Sequence, residues 1–262
     1  VEDYYQVSAF DKICSPFHWD HYPSRVVDNT ERILDILDRF GIRATFFVLG
    51  WTARKFPELI MKINEKGHDI GCHSYYHRLV YTLSPDEFKE DSRQAKDVLE
   101  QIIGRAVRGY RAPSYSITRC CDWVFDILEE LGFEFDSSIF PIYHDRYGDP
   151  GAPRFRFQIP GHRLIEYPIS TFSLFGQKIP IAGGGYFRLL PYFLTSKALT
   201  KINLKERQPF VFYIHPWEID PKQPKMKGVS TMAKFRHYIN LEKTTDRLTR
   251  LLQDFQFAPI SP

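Results

Sequence analysis

The chain of 262 residues lacks the features that mark several classes of protein. No stretch approaches the roughly 18 consecutive apolar residues of a membrane-spanning helix, so we expect no membrane span. The sequence does not open with a secretory signal. The formal net charge is only +3, and the Lys and Arg residues are scattered instead of forming a stripe. We therefore expect no nucleic acid partner.

Cysteine pairs and phosphate-binding glycine motifs are also missing. The four cysteines, at positions 14, 72, 120 and 121, form no CxxC pair, and adjacent cysteines rarely bridge each other. Reduced thiols and the missing signal predict a cytoplasmic protein. The stretch AGGGYFR at 182–188 matches neither GxGxxG nor a P-loop, so we expect no phosphate cradle. Flexible backbone near a ligand and simple loop geometry both stay open for it.

The composition is that of a globular protein rich in aromatic residues. Hydrophobic residues make up 43% of the chain and charged residues 26%. Phe, Tyr and Trp make up 16%, which suits either a Phe-rich core or a pocket whose walls stack on sugar rings. The length is compatible with one α/β barrel.

Helix and strand patterns alternate four times in the first half of the chain. The predicted helices carry apolar residues at helical spacing, and the predicted strands are short β-branched or aromatic runs. The helices are 29–40, 57–66, 85–103 and 122–131, and the strands that follow them are IRATFFVLG, HDIGC, VRGYRAP and FEFDSS. Such alternation indicates parallel strands joined by right-handed crossovers, in a barrel or an open doubly wound sheet.

The second half is less regular. Its first part, 143–188, is rich in Pro, Gly and aromatic residues and predicts short β pieces and loops. A helix over 191–205, a strand PFVFYIH at 209–215 and an amphipathic helix with Leu241 and Leu248 on one face complete the pattern. With no repeat or linker, we predict a single α/β domain over residues 1–262, extended at its C-terminal end from about residue 219.

Polar residues gather where the predicted strands end. Because the carboxyl ends of parallel strands meet at one edge of a sheet, these side chains should lie close together. The set consists of Glu2, Asp3, His73, His77, Arg111, Asp136, His215, Trp217 and Glu218. Metal sites and acid–base pairs are made from these residue types.

The individual patterns leave alternatives open. The spacing of His73 and His77 would put both imidazoles on one side of a helical turn, where they could bind one divalent ion, but they could also be solvated or capping histidines. Arg111 could clamp a carboxylate or form a surface ion pair. His215 could be a proton donor whose basicity Glu218 raises, or a histidine of the core.

Taken together, the motifs resemble those of the polysaccharide deacetylases, the NodB-homology group called carbohydrate esterase family 4. The matching elements are HSYYH at 73–77 for H-[ST]-x-x-H, RAP at 111–113, the aspartate of DSS at 136–138, and a late strand ending in His215. VEDYYQVSAF, GGGYFRLLP and FYIHPWEID further resemble a subgroup found beside bacterial exopolysaccharide and exosortase genes.

The resemblance implies a distorted (β/α) barrel of seven or eight strands and a divalent metal, usually zinc. The ligands would be His73, His77 and one acidic residue near the first strand. The implied reaction is hydrolysis of N-acetyl groups from hexosamine units of a bacterial polysaccharide or its precursor, with release of acetate. The implied partner is thus an N-acetylated glycan.

Further roles follow from the same resemblance. His215 would protonate the leaving amine, Arg111 would hold the carboxylate of the general base, and Asp136 or Glu218 would tune His215. We assign substrate contact to Tyr115 and Trp217.

The acidic residues at the start of the chain depart from the family pattern, which has a base followed by a ligand. The expected base would stand immediately before Val1. Strand alternation puts that position and Glu2 on the same face, so Glu2 is the favoured ligand and Asp3 a possible one. In the alternative arrangement, Glu2 is the base and Asp3 the ligand.

Two other functions are compatible with these motifs. One is a metal-independent or cyclic-amide hydrolase on the same barrel. The other is an inactive barrel that binds glycans through its aromatic residues.

Overall fold

The helices and strands lie close to the predicted ones. A computed structural model of the chain describes residues 1–144 and 147–260. The helices in these ranges are α1 (Val26–Arg39), α2 (Gly50–Lys55), α3 (Pro57–Glu65), α4 (Pro85–Ile103), α5 (Trp123–Glu130), α6 (Gly184–Leu189), α7 (Tyr192–Leu204), α8 (Thr231–Tyr238) and α9 (Leu241–Asp254). The strands are β1 (Thr45–Val48), β2 (Asp69–Cys72), β3 (Gly109–Tyr110), β4 (Phe135–Asp136), β5 (Phe157–Gln158), β6 (Ile165–Glu166), β7 (Thr171–Leu174) and β8 (Gln177–Pro180).

Six strands form one sheet in the order β1-β2-β3-β4-β6-β5. All neighbours in it are parallel except β5, which is antiparallel to β6. The parallel sheet of an α/β fold is thus confirmed, with helices between the first four strands. β7 and β8 form a separate antiparallel hairpin.

The strand predicted at 209–215 does not form as expected. Among the described residues of this segment, only Tyr213 makes a β-bridge, a parallel one to Gly183. The Val211 N–H donates to the Ser170 side chain at 2.8 Å, and Pro209 has no N–H to donate. The apolar run therefore lies as half-buried extended chain, and its hydrogen bonds do not build a ladder.

The glycine-rich stretch faces this segment. Gly183 has a φ of 121°, and a Cβ at this position would come within 2.1 Å of the Tyr213 carbonyl oxygen. Close packing against the Tyr213 backbone, which neither of the two explanations included, therefore accounts for Gly183.

Local signals in the sequence explain where the helices start. Ser84 and Glu87 form the capping box of α4, with the Ser84 N–H donating to Glu87 at 2.9 Å. The short α2, α6 and α8 were not predicted. α2 and α6 have six residues each, too few for a recognisable apolar period, and α8 buries only His237 and therefore has no apolar face to recognise.

The core has two parts. The main cluster fills the space between the sheet and the helices and includes residues from both halves of the chain, among them Leu34, Val48, Leu128 and Leu251. A smaller cluster of Tyr4, Tyr5, Phe10, Trp19 and Trp217 supports the first residues of the chain. No helix in the described ranges is long and apolar enough to cross a bilayer.

Gly109 of β3 is required for the packing of the sheet. A Cβ at Gly109 would lie 2.2 Å from the Phe135 ring. We expect Gly109→Ala to lower the free energy of unfolding by about 1–3 kcal/mol because the ring must move within a packed core. Chemical denaturation measures this change. Gly185→Ala is the control, since its Cβ would have its nearest neighbours 3.9 Å away. Equal stability of the two variants would contradict the prediction.

Candidate active site

Glu2 places a buried carboxylate at the end of the parallel sheet. Its Oε2 lies 3.1 Å from Nε2 of His77 and 3.5 Å from Nε2 of His73. Its Oε1 accepts a hydrogen bond from the Trp217 indole at 3.4 Å and lies 4.0 Å from Nε2 of His215. Burial alone would raise the pKa of Glu2, but His77 and His73 hold this pKa well below its usual value. The carboxylate is therefore charged and surrounded by imidazoles.

The backbone brings Glu2 to this place beside β1. The Leu49 N–H, just after β1, donates to the Val1 carbonyl at 3.4 Å. Residues 1–3 are not a strand, so the first strand inferred from the sequence is reduced to this pairing. The position of Glu2 at the end of the sheet is nevertheless as predicted.

A loop, and not a helical turn, brings the two histidines to Glu2. Ser74 and His77 have positive φ values of 63° and 55°, which are uncommon for residues other than glycine. Ser74 Oγ accepts a hydrogen bond from the His77 N–H at 3.1 Å, and Asp91 of α4 accepts one from the Tyr75 N–H at 2.7 Å. The helical turn was therefore a wrong prediction, although both imidazoles face one carboxylate. Asp91 was not predicted as part of the site, because in the sequence it is one of many charged residues of α4.

His73 presents one nitrogen to the site. Its Nδ1 donates to the Arg111 carbonyl at 2.6 Å, so the lone pair of Nε2 points toward Glu2. Burial lowers the pKa of His73 to about 4, which keeps the ring neutral. A neutral imidazole that is oriented by a backbone carbonyl is typical of metal ligands.

Glu2, His73 and His77 together have the geometry of a three-ligand metal site. Their ligand atoms all lie within 4.8 Å of one another. Tetrahedral ligands around one zinc ion lie about 3.3 Å apart, close to the 3.1 and 3.5 Å between Glu2 and the two rings. Among the described residues, Glu2 Oε2 and His77 Nδ1 have no hydrogen-bond partner. This donor set suits a divalent ion of the zinc type.

Asp3 lies outside this group. Its Oδ2 accepts hydrogen bonds from the Ser24 hydroxyl at 2.6 Å and from the backbone N–H groups of Arg25 and Val26 at 2.9 and 3.2 Å. These groups belong to the start of α1, so Asp3 accepts hydrogen bonds from N–H groups that have no partner within the helix. Of the two acids considered as ligands, only Glu2 is placed with the histidines.

His215 and Glu218 form a hydrogen-bonded pair. Glu218 Oε2 accepts from the His215 N–H at 2.9 Å and lies 3.2 Å from its Nδ1. The other oxygen, Oε1, accepts from Nε of the buried Arg188 at 2.9 Å. Burial alone would raise the pKa of Glu218, but Arg188 and His215 lower it to about 2. A charged Glu218 thus orients His215 with its Nε2 toward Glu2.

Arg188 was not recognised in the sequence, because it stands in the glycine-rich stretch. Its guanidinium also donates to the carbonyls of Arg236, His237 and Ile239 at 2.8–3.1 Å. These bonds connect α6 to the end of α8. A lone arginine beside glycines carries no sequence signal for such a role.

Trp217 fills the space between two imidazoles. Its ring is stacked on His215 at 5.3 Å and on His237 at 4.2 Å, and it is 5% exposed. Trp217 also lines the cavity beside Glu2, so its contact with substrate stays a prediction. Its observed contacts position His215 and Glu2.

Arg111 is held at the end of β3. Its guanidinium donates to the carbonyl and the hydroxyl of Ser137 at 3.0 and 2.6 Å and lies 4.2 Å from the centre of the Phe47 ring. It lines the same cavity as Glu2 and His73. The carboxylate clamp stays a prediction, because its partner was expected before Val1.

Asp136 is buried at the end of β4 beside Glu166 of β6. Asp136 accepts a hydrogen bond from the Ser138 hydroxyl, and Glu166 accepts one from the Ile139 N–H at 2.9 Å. Burial raises the pKa of Asp136 to about 6, and burial together with the neighbouring charge of Asp136 raises the pKa of Glu166. In the described residues, Glu218 and not Asp136 bonds to His215. Glu166 was not predicted as a partner of Asp136, because only the register of β4 against β6 places the two carboxyls side by side.

The residues around Glu2 open into a cavity of about 1040 Å³. Its walls include Arg111, Tyr115, Tyr147 and His215. Tyr115 is largely buried and packs edge-on against Tyr147 and Tyr213, so it can present only an edge to a ligand. The cavity provides room for a ligand larger than water beside the charged cluster.

Two family profiles divide the chain. Residues 10–135 match the polysaccharide deacetylase family, and residues 137–262 match a domain of unknown function, DUF3473. A peptidoglycan-N-acetylglucosamine deacetylase of Bacillus cereus is 26% identical over 180 residues, which is 64% of this chain and 64% of that protein. The chain thus spans less than two thirds of the length of that relative.

Solved structures share the fold. A Mycobacterium smegmatis protein assigned to the polysaccharide deacetylases aligns with a TM-score of 0.53 and 21% identity, over 89% of this chain and 80% of that one. Puue allantoinase aligns with a TM-score of 0.56 and 17% identity, over 86% of this chain and 65% of that one. At these identities the likeness concerns the fold alone.

The Asp136–Glu166 pair makes stability depend on pH. Both pKa values are raised in the fold, so the protonated carboxyls favour folding, and this contribution is lost as pH rises through about 6. Glu166→Gln removes one ionisable group. We expect this variant to gain about 1–2 kcal/mol over the wild type between pH 4 and pH 8.

Chemical denaturation at several pH values measures this gain. Glu134→Gln is the control, since the Glu134 side chain is 50% exposed. A difference between Glu166→Gln and the wild type that does not change with pH would rule out the coupling.

Proposed function

We propose, because residues 10–135 match the polysaccharide deacetylase family, that the chain hydrolyses N-acetyl groups from hexosamine units of a bacterial polysaccharide or its precursor. One observation carries the proposal. The ligand atoms of Glu2, His73 and His77 face one another, and Nε2 of His215 lies 4.0 Å from Glu2. An electrophile and a proton donor would thus meet in one cavity.

Glu2, His73 and His77 would hold a divalent ion, which we propose to be zinc. When bound, the ion polarises the amide carbonyl and lowers the pKa of a coordinated water. The neutral state of His73 and the charged state of Glu2 suit this role before any ion arrives. The Arg111 carbonyl keeps His73 in the tautomer that can coordinate.

His215 would donate the proton to the leaving amine. Its Nδ1 is held by the Glu218 carboxylate, and about 30% of its side chain is exposed toward the cavity. The carboxylate stabilises the imidazolium, and Arg188 keeps Glu218 ionised and in place. A general acid in this position lets an amine leave as a neutral molecule.

The general base and the compartment stay predictions. The base would be an acidic side chain before Val1 held by Arg111, or Glu2 in the alternative arrangement. Glu2 suits the ligand role better, because both of its histidine neighbours are potential ligands of the same ion. The cytoplasmic location is likewise an expectation from the sequence.

The activity is tested by acetate release from a panel of N-acetylated oligosaccharides. We expect release that a chelator abolishes and added zinc restores. We expect His215→Ala to lower turnover by about 10²–10⁴-fold with unchanged metal content, because it removes only the proton donor. Glycan binding without acetate release, even with zinc, would replace the proposal by an inactive glycan-binding barrel.

Metal binding separates Glu2 from Asp3. We expect His73→Ala, His77→Ala and Glu2→Gln to lose most bound zinc in calorimetric titration, because each loses a ligand. Asp3→Asn is the matched control and should keep the metal affinity while it lowers stability, since Asp3 bonds to the start of α1. Full zinc binding by Glu2→Gln would place the acidic ligand elsewhere.

A further inference from the structure

The charged residues are distributed less evenly than the sequence analysis expected. Residues 167–241 contain eleven Lys and Arg against three Asp and Glu, whereas the remaining residues contain 24 against 29. The three acids are Glu206, Glu218 and Asp220, and each forms a salt bridge to an arginine. No Asp or Glu stands between Glu166 and Glu206. This stretch contains β7, β8, α6 and α7.

Helix α7 is apolar on two faces, although only one of them is packed. Tyr192, Ala198, Leu199 and Ile202 are buried against the rest of the fold. On the other side, Phe193 is 66% exposed, Leu194 is 43% exposed and Leu204 is 74% exposed. An apolar helix face that no described residue covers points to a partner outside the chain.

Lysines accompany these apolar side chains. Lys197, Lys201 and Lys205 follow one another at intervals of four, so they lie on one side of the helix. None of them forms a salt bridge with a described residue. The exposed side of α7 thus alternates apolar and cationic groups over roughly 17 Å.

The hairpin β7–β8 continues this surface. Phe172 of β7 lies under Lys201, with Nζ 4.7 Å from the ring centre, so the hairpin leaves the fold beside α7. Its turn exposes Leu174 and Phe175, the latter at 95%. We use the name α7 surface for a set of residues on α7, just after it and in the hairpin turn, all exposed except the half-buried Lys201: Leu174, Phe175, Phe193, Leu194, Lys197, Lys201, Leu204 and Lys205.

We propose that the α7 surface docks onto an anionic lipid bilayer. Exposed Phe and Leu side chains insert into the interfacial region, and lysines beside them are attracted to acidic headgroups. The stretch 167–205 contributes no acid that would be repelled by such a surface, and Asp254 of α9, which contacts α7, accepts hydrogen bonds from Tyr192 and Ser196. A second copy of the chain is a poorer partner, because face-to-face pairing would oppose three lysines of each copy with no acid between them.

The proposal does not depend on the catalytic one. The α7 surface uses none of the residues around Glu2, so vesicle binding can be measured apart from acetate release. Failure of either measurement leaves the other intact.

Cosedimentation of the full chain with vesicles tests the docking. We expect binding to phosphatidylcholine vesicles that contain about one third phosphatidylglycerol, weak binding to pure phosphatidylcholine, and release at high salt. Phe193→Ser with Leu204→Ser, and separately Lys197→Glu with Lys205→Glu, should each lower the vesicle partition coefficient by at least about tenfold.

Matched controls change exposed residues elsewhere. Met61→Ser in α3 and Lys243→Glu in α9 should bind vesicles as the wild type does, and circular dichroism confirms that all variants fold. The proposal is overturned if the wild type does not sediment with anionic vesicles, or if the α7 variants sediment unchanged. It is also overturned if light scattering finds a dimer that Phe193→Ser with Leu204→Ser dissociates, since a second copy would then cover the surface.

Discussion

The arrangement of the site depends on keeping one charge, that of Glu2, out of water. An isolated carboxylate at this depth would cost several kcal/mol, and the protein would instead protonate it. His77 and the Trp217 indole provide the compensating contacts. The loop conformation after β2 and the pairing of Val1 with Leu49 follow from the need to bring these groups together. A divalent ion would compensate the same charge more completely.

A second layer of charge supports the first. Arg188 is buried, yet all of its donor nitrogens bond to Glu218 or to backbone carbonyls near the end of α8. Such full satisfaction is what makes a buried arginine tolerable. Glu218 is thereby held charged, and Trp217 is clamped between His215 and His237. The orientation of His215 thus depends on Arg188 and His237, which act on it through Glu218 and Trp217.

The sequence predicted what depends on local chemistry. Apolar period and capping residues located α1, α3, α4, α5, α7 and α9 to within a few residues, and the strand-end argument brought Glu2, His73, His77 and His215 to one edge. The prediction failed where contacts between distant segments determine the local conformation. The segment 209–215 reads as a strand by composition, but its hydrogen bonds go to a side chain and a single bridge.

The residues that pair with buried charges could not be identified from the sequence either. Asp91, Glu166 and Arg188 each act through a neighbour distant in sequence, and no spacing rule links them to it. The burial of Trp217 was also not predictable, because exposure cannot be read from a residue type. Strand alternation favoured Glu2 over Asp3 as the ligand, but the bonds of Asp3 to the start of α1 became visible only in the structure.

The cluster is built from both profile regions, and this division has an evolutionary consequence. Glu2, His73, His77 and Arg111 come from before the boundary near residue 136, whereas Arg188, His215 and Glu218 come from after it. Genetic recombination at that boundary would therefore combine Glu2, His73 and His77 with a His215–Glu218 pair of different origin. In such a hybrid, the hydrogen bond from Trp217 to Glu2 and the approach of His215 to Glu2 would have to form between segments of different origin, so the two regions share a geometric constraint.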